Sequence, residues 1–354
     1  MSLAVVWFKR DLRIHDHVPL AEACRTGRKV VCLYVIEPSL WSLPEYAGRH
    51  YAFLQETLES LSQALHAKGA ALTVRVGEVT DVLDDLHGCH GVESLHAHEE
   101  TGLIATWERD KQVAAWAKRH DVAFREHPQF GVIRGLASRD GWARKWDRFM
   151  ERPVTPAPDA IDCADLRSDA MPEPGELDIA DDPCPGRQTG GRRAAVADLG
   201  SFLKERGETY RKAMSSPLTA YEACSRMSAH LSLGSISMRE TYQAGARALK
   251  AKRRDGETRY AQSIDSFISR LHWHCHFMQK FEDDPEIERR DLHPAYRGVR
   301  PDPDPETVER WIEGRTGFPF VDACMRALKD TGWLNFRMRA MVAAVSSYHF
   351  WVWW

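Results

Sequence analysis

The chain has 354 residues, with 48 Lys and Arg against 51 Asp and Glu, 43% apolar side chains and 28% charged ones. That is the profile of a soluble globular chain long enough for two domains, and it excludes a disordered, collagenous or coiled-coil protein. The apolar stretch from Met341 onward is too short for a membrane span. The start, MSLAVVWFKRDLR, lacks the apolar segment and small-residue cleavage site of a signal peptide, so a cytoplasmic protein that does not enter a membrane is expected. One feature is unusual: the last residues, Ser346 to Trp354, form an aromatic run where termini are normally polar.

The net charge of −3 hides an asymmetry: residues 1–200 carry 24 basic and 31 acidic side chains, and residues 201–354 carry 24 and 20. A polyanion is therefore to be sought on the second half. Eight cysteines are scattered without a C-x-x-C pair. They read as buried thiols, and no metal site is expected.

In chain order, short β-rich runs begin with Ala4–Phe8 and continue with Val30–Ile36, Leu72–Val76, Val92–Ala97 and Val122–Arg125. Between them lie apolar positions at helical spacing, such as Leu54, Leu58, Leu61 and Leu65, and the segment Trp107–His120. The alternation predicts βαβ units and a doubly wound, mostly parallel sheet covered by helices. No G-x-G-x-x-G follows the first run, which disfavours a nicotinamide enzyme. Residues 151–192 are rich in Pro, Asp and Gly and read as a connection, after which the pattern is helical throughout. The expected organisation is an α/β domain over 1–140, a linker over 141–192 and an all-α domain over 193–354.

The first strand runs into WFKRDLRIHDH, Trp7 to His17, with charges crowded at the carboxyl end of a buried strand, where open α/β sheets bind ligands. The plainer reading is a salt-bridged loop. Ser225 and Ser228 sit where a helix begins, with hydroxyls and free N–H groups able to receive a phosphate, although an N-cap is the commoner use of such serines. Phe267, Trp273, His274 and Phe277 read as one aromatic face of a helix. Trp333 with Arg337 and Arg339 sets a flat aromatic near two permanent cations, suited to phosphates and stacked bases.

The string at Trp7–His17 resembles the W-F-R-R-D-L-R-x-H-D-N signature that opens the photolyase/cryptochrome family. Gly190-Gly191-Arg192-Arg193 leading to Tyr210 is similar to the entry of that family's helical domain. Cys224 to Ser237 resembles T-S-x-L-S-x-x-L-x-x-G-x-L-S, and Trp311 to Arg326, continued by Thr331-Gly332-Trp333, is similar to W-x-x-G-x-T-G-Y-P-x-V-D-A-x-M-R…T-G-W. The resemblance implies a Rossmann-like domain followed by a helical domain that binds folded FAD. It implies light-driven repair of pyrimidine dimers in UV-damaged DNA by electron transfer from excited reduced flavin, carried out by a monomer, with a blue-light receptor or a flavin-deficient relic as alternatives.

Carried over by position, the resemblance places Tyr210, Cys224, Ser225, Met227, Ser228, Phe267, His274, Phe336 and Arg339 at the cofactor. It places Trp273, Trp333, Arg270 and Arg226 at the DNA, and Trp311 and Trp354 in an electron-transfer chain. Several positions depart from the family pattern. Arg270 replaces a carboxylate near the substrate, His274 replaces an arginine, Cys224 replaces a threonine, and Phe336 stands where an asparagine faces the flavin. An antenna chromophore, folate or deazaflavin, is implied for the first domain without assignable contacts. The family's helical domain continues past the point where this chain stops, so a cup shortened at its C-terminal end is expected.

Overall fold

The computed structural model describes residues 2–352. Five parallel strands, β1 (Leu3–Phe8), β2 (Lys29–Ile36), β3 (Leu72–Val76), β4 (Val92–His98) and β5 (Ala123–His127), form one sheet in the order β3-β2-β1-β4-β5. Each coincides within two residues with a β-rich run of the sequence. Continuous apolar runs mark strands covered on both faces, and β1 is buried along its whole length.

The crossover helices divide between the two faces. On one side α1 (Val18–Arg25), a single turn α2 (Pro38–Trp41) and α3 (Gly48–His66) pack Leu20, Trp41, Leu54, Leu58 and Leu61 against Ala4, Val6 and Phe8. On the other, α4 (Val79–His90) and α5 (Ile104–Arg119) pack Leu83, Leu86, Val113 and Trp116 against Val5 and Trp7. Alternate residues of one strand thus feed two separate cores, which is the period-2 geometry of a sheet.

The expected linker is ordered. It contains α6 (Trp142–Glu151), whose Trp142, Trp146 and Met150 are buried in the core of the helical domain. Further along, Ala164 N–H donates to the Val30 carbonyl at 2.9 Å and Val30 N–H to that of Asp162 at 2.8 Å, so the segment lies along the sheet. Its Pro and Asp content suppresses regular elements without preventing such docking.

After it come α7 (Arg192–Lys204), the short turns α8 (Tyr210–Ala213), α9 (Ala220–Ala223) and α10 (Ser228–Ser232), then α11 (Met238–Arg254) and α12 (Thr258–Asp283). The last helices are α13 (Pro305–Ile312), α14 (Pro319–Thr331) and α15 (Phe336–Ala344). Ser237 begins α11 with a capping box, its Oγ accepting from Glu240 N–H at 2.9 Å. A second helical cluster joins Val321, Cys324, Met325, Leu334, Met338 and Val342, with Trp311 packed against it. Among the described residues no helix is long and apolar enough to cross a membrane.

Candidate functional site

The WFKRDLRIHDH loop lies at the domain boundary, and its reading as a salt-bridged loop is visible in the geometry. Lys9 Nζ lies 2.6 Å from Asp110, and beside it Arg109 of α5 contacts Glu37, Glu100 and Asp110 at 2.8–3.0 Å. Lys9 and Arg109 also lie over the Trp7 ring, at 4.6 and 4.8 Å from its centroid. Asp11 accepts from His98 Nδ1 at 2.7 Å and lies 2.9 Å from His17 Nε2, all three fully buried. Burial pushes His98 down to about 3, while its hydrogen bond to Asp11 acts in the opposite sense.

The rest of the loop grips the helical domain. Leu12 N–H donates to the Leu233 carbonyl at 3.0 Å, Arg10 reaches Ser232 at 3.0 Å, and Asp16 accepts from Ser237 Oγ at 2.7 Å and from Arg239. Gly234 closes the contact at φ +69°, where an added Cβ would stand 2.3 Å from the Arg10 carbonyl. Only glycine allows that approach.

Above this loop, at the carboxyl edge of the sheet, lies an interdomain cavity of about 660 Å3. That volume falls within the roughly 300–1,000 Å3 of small-molecule sites. The α/β side contributes Trp7, Tyr34, Trp41 and Tyr46 with Arg10, Arg49 and His50; the helical side contributes Ser228, Ser232, Trp333 and Arg339. Several of its cations are neutralised: Arg49 by Asp182 at 2.5 Å and Arg187 by Glu56 at 2.8 Å. Among the described residues, Arg10 and Arg339 have no carboxylate partner and bond only to Ser232 and to the Leu334 carbonyl at 3.2 Å. They are the two charges of the wall open to an anion. Burial pushes Glu37 up to about 7 although Arg109 draws it down.

Two residues expected at the cofactor, Ser228 and Arg339, therefore meet in one cavity, together with Trp333, which was expected at the DNA. Around them the structure sharpens the expectations. Met227, not a serine, occupies the N-cap of α10, and that helix has only five residues, so little dipole backs a phosphate there. The carbonyls of Cys224 and Ser225 are held by the Arg206 guanidinium, and burial pushes the Cys224 thiol up to about 11. Arg226, expected at the DNA, is buried: its guanidinium carbon lies 4.0 Å from the Tyr221 ring centroid and 4.5 Å from that of Trp333. Its Nε and Nη2 are buried without a hydrogen-bond partner, and its backbone is left-handed at φ +62°.

The single aromatic face expected on α12 is in fact two. Phe267 and His274, seven residues apart, share a side of the helix, because seven steps fall only about 20° short of two turns. Phe267 packs in the core 4.9 Å from Phe202, and His274 lies 5.8 Å from Phe130, pushed down to about 4 by burial, with Arg10 adding to the effect. Trp273 and Phe277, four residues apart, share a different, exposed side at 5.7 Å. His276 lies beside them, 3.0 Å from Arg139 Nη2.

Tyr210 is buried, its phenol pushed up to about 12 by desolvation with Arg270 opposing. Arg270 itself is exposed and lies 5.2 Å from the ring of Phe336, which is 65% exposed. Asn335 caps α15, its Oδ1 accepting from Met338 N–H at 3.3 Å and its Nδ2 donating to the Met214 carbonyl at 2.9 Å. Trp311 is packed at the second helical cluster, its Nε1 buried without a partner. Trp354 lies outside the described residues. Arg49, His50 and Gln188 were not singled out by the sequence, because α3 and the connecting segment bring them to the cavity, whereas Arg10 was visible only within the charged string Trp7–His17.

Two family models match the chain: DNA photolyase over residues 4–133 and the FAD binding domain of DNA photolyase over 267–354. The deoxyribodipyrimidine photo-lyase of Streptomyces griseus is 29% identical, across 97% of this chain and 74% of its own length. Cryptochrome-2 of Gallus gallus is 26% identical, across 96% of this chain and 62% of its own. Among solved structures, the Synechocystis cryptochrome superposes with a TM-score of 0.84 at 22% identity, over 99% of this chain and 76% of that one. The class III photolyase of Agrobacterium tumefaciens gives 0.84 at 21%, over 100% and 74%.

Proposed function

The chain belongs to the photolyase/cryptochrome family, and on that premise we propose that it is a flavin-dependent repair enzyme for pyrimidine dimers in UV-damaged DNA. The observation that carries the reading is the wall formed by Ser228, Trp333 and Arg339 across from Arg10. It offers a flat aromatic and two cations without carboxylate partners, which suit a ring system and a pyrophosphate. The buried, unpartnered Arg226 guanidinium behind Trp333 points the same way, since such a group is stabilised by an anion nearby.

When bound there, reduced FAD supplies on excitation the electron that splits the dimer. This chain's own residues bind, orient and exclude water. Arg10 and Arg339 take up phosphate charge, and Trp333 covers a flat face with Arg226 fixed behind it. Exposed Trp273 and Phe277 offer stacking surface to an extruded base, with Arg139 beside them for backbone phosphate. Light-dependent loss of cyclobutane dimers from irradiated DNA, followed with and without added FAD, tests the reading.

One observation favours a second reading, a blue-light receptor without repair. The exposed guanidinium of Arg270 stands where the family pattern has a carboxylate near the substrate, and a guanidinium cannot protonate or accept a hydrogen bond from a dimer. Flavin photoreduction without dimer loss would select it.

A further inference from the structure

On the flank of the sheet formed by α1, β4 and β5, three ligand-type side chains converge that the interdomain cavity does not use. Glu22 of α1, His96 of β4 and His127 of β5 each bring one donor atom within 4.8 Å of the other two. None of them lines the interdomain cavity.

We propose that Glu22, His96 and His127 form a binding site for a divalent transition-metal ion of the zinc class. Two imidazoles and a carboxylate are the donor set of many zinc centres that keep a fourth position for water. The site's second observation is its unsatisfied nitrogens. His96 is fully buried, and its Nδ1 has no hydrogen-bond partner; the Nε2 of His127 is likewise buried without one. Glu22 Oε2 lies 3.5 Å from His127 Nε2, too far for a good hydrogen bond but close to the edge of a tetrahedron with metal–ligand bonds of about 2.0–2.1 Å.

A supporting contact fixes the chemistry of His96. Its Nε2 lies 3.0 Å from Ser94 Oγ, and with the proton placed on Nε2 the Nδ1 lone pair is free for a metal. Access is open: Glu22 and Ser94 line a cleft of about 480 Å3 together with Arg125, and Glu22 is about a third exposed. Arg25 and Arg125 are the opposing charges of that cleft, and Arg125 sets a limit on affinity that its removal eases. An ion there ties α1, whose N-cap is His17, to β4 and to the edge strand β5. The Asp11–His17–His98 group differs in kind, because its carboxylate already accepts from His98 at 2.7 Å.

The test is metal binding to the full chain, with Cys89→Ser as the background because Cys89 is the exposed thiol. The protein is stripped with chelator, dialysed against zinc chloride and assayed for bound metal, and titrated separately with cobalt chloride for tetrahedral d–d absorption. One Zn2+ per chain is expected, lost in Glu22→Gln and His127→Gln. Ser94→Ala is expected to weaken binding about 10–100-fold, the usual cost of losing such a support, and Arg125→Gln to tighten it. Both ligand positions are partly exposed, so these variants keep the fold, which metal-free melting curves check. Unchanged zinc stoichiometry and affinity in Glu22→Gln and His127→Gln overturns the site, as does loss of zinc in His98→Asn alone or no zinc uptake by the parent chain.

Discussion

Asp16 and Arg239 face each other across the domain boundary: Arg239 Nε donates to Asp16 Oδ2 at 3.0 Å, with both side chains buried and 223 positions apart in the chain. Asp16 adopts φ +50° to make the contact, and Ser237 Oγ donates to the same oxygen at 2.7 Å. This pair joins the β1–α1 loop to the first turn of α11. Removing one partner leaves the other charged and buried, which costs about 3–5 kcal/mol. Asp16→Asn is therefore expected to lower the urea-unfolding free energy by that amount, and a loss below about 0.5 kcal/mol would show that the boundary is held elsewhere.

The same boundary makes a backbone prediction. Gly234→Ala combines a left-handed φ with a Cβ that would stand 2.3 Å from the Arg10 carbonyl and 2.6 Å from Asp11 Cα. Both obstacles are backbone and cannot swing aside. A loss of more than about 1 kcal/mol is expected, whereas Gly27→Ala, also left-handed but with open space around it, is expected to cost less. Thermal melting of the two variants side by side measures the difference.

His274 gives the pH dependence a sign. Its folded value of about 4 lies below the ordinary 6.5, so the unfolded chain binds more protons between those values. The contribution is fully present above pH 6.5 and is lost as pH falls toward 4, by up to about 3 kcal/mol. Replacing His274 by Phe is expected to flatten this part of the stability profile between pH 6.5 and 4. An unchanged profile would mean that the imidazole titrates normally.

Trp273 is 47% exposed and makes no contact with the cavity, so its removal separates DNA binding from flavin binding. Trp273→Ala is expected to weaken binding to dimer-containing DNA by about 1–3 kcal/mol, the value of one stacked base, with the flavin spectrum intact. Equal weakening for undamaged duplex would place Trp273 on the general DNA surface rather than at the lesion.

Much of the fold was legible because strands buried on both faces read as unbroken apolar runs; β1 and β2 are found where Ala4–Phe8 and Val30–Ile36 announce them. Local rules failed where partners are distant. Trp142 and Trp146 fall at the start of the span expected as a linker, yet they belong to the helical core, where both rings pack against His272 of α12 at 4.9 Å. Likewise the aromatic side of α12 was misjudged because a rough spacing rule merged two helix faces only a few positions out of register. At the site, Ser228, Trp333 and Arg339 were found through their motifs, whereas Arg10 was visible only as part of a charged string and Arg49 and His50 not at all. Their role depends on the tertiary approach of α3, which no local pattern encodes. Arg226 reads as a surface cation, and only the adjoining rings of Tyr221 and Trp333 explain its burial.

The central claim is that the wall of Ser228, Trp333 and Arg339 opposite Arg10 holds a flavin. The direct measurement is the absorption spectrum of the purified chain after incubation with FAD and gel filtration, beside Arg339→Met treated identically. The account predicts flavin bands at about one equivalent in the parent chain and their loss in the variant. A folded parent chain that emerges without flavin, or a variant that retains it fully, would contradict the account.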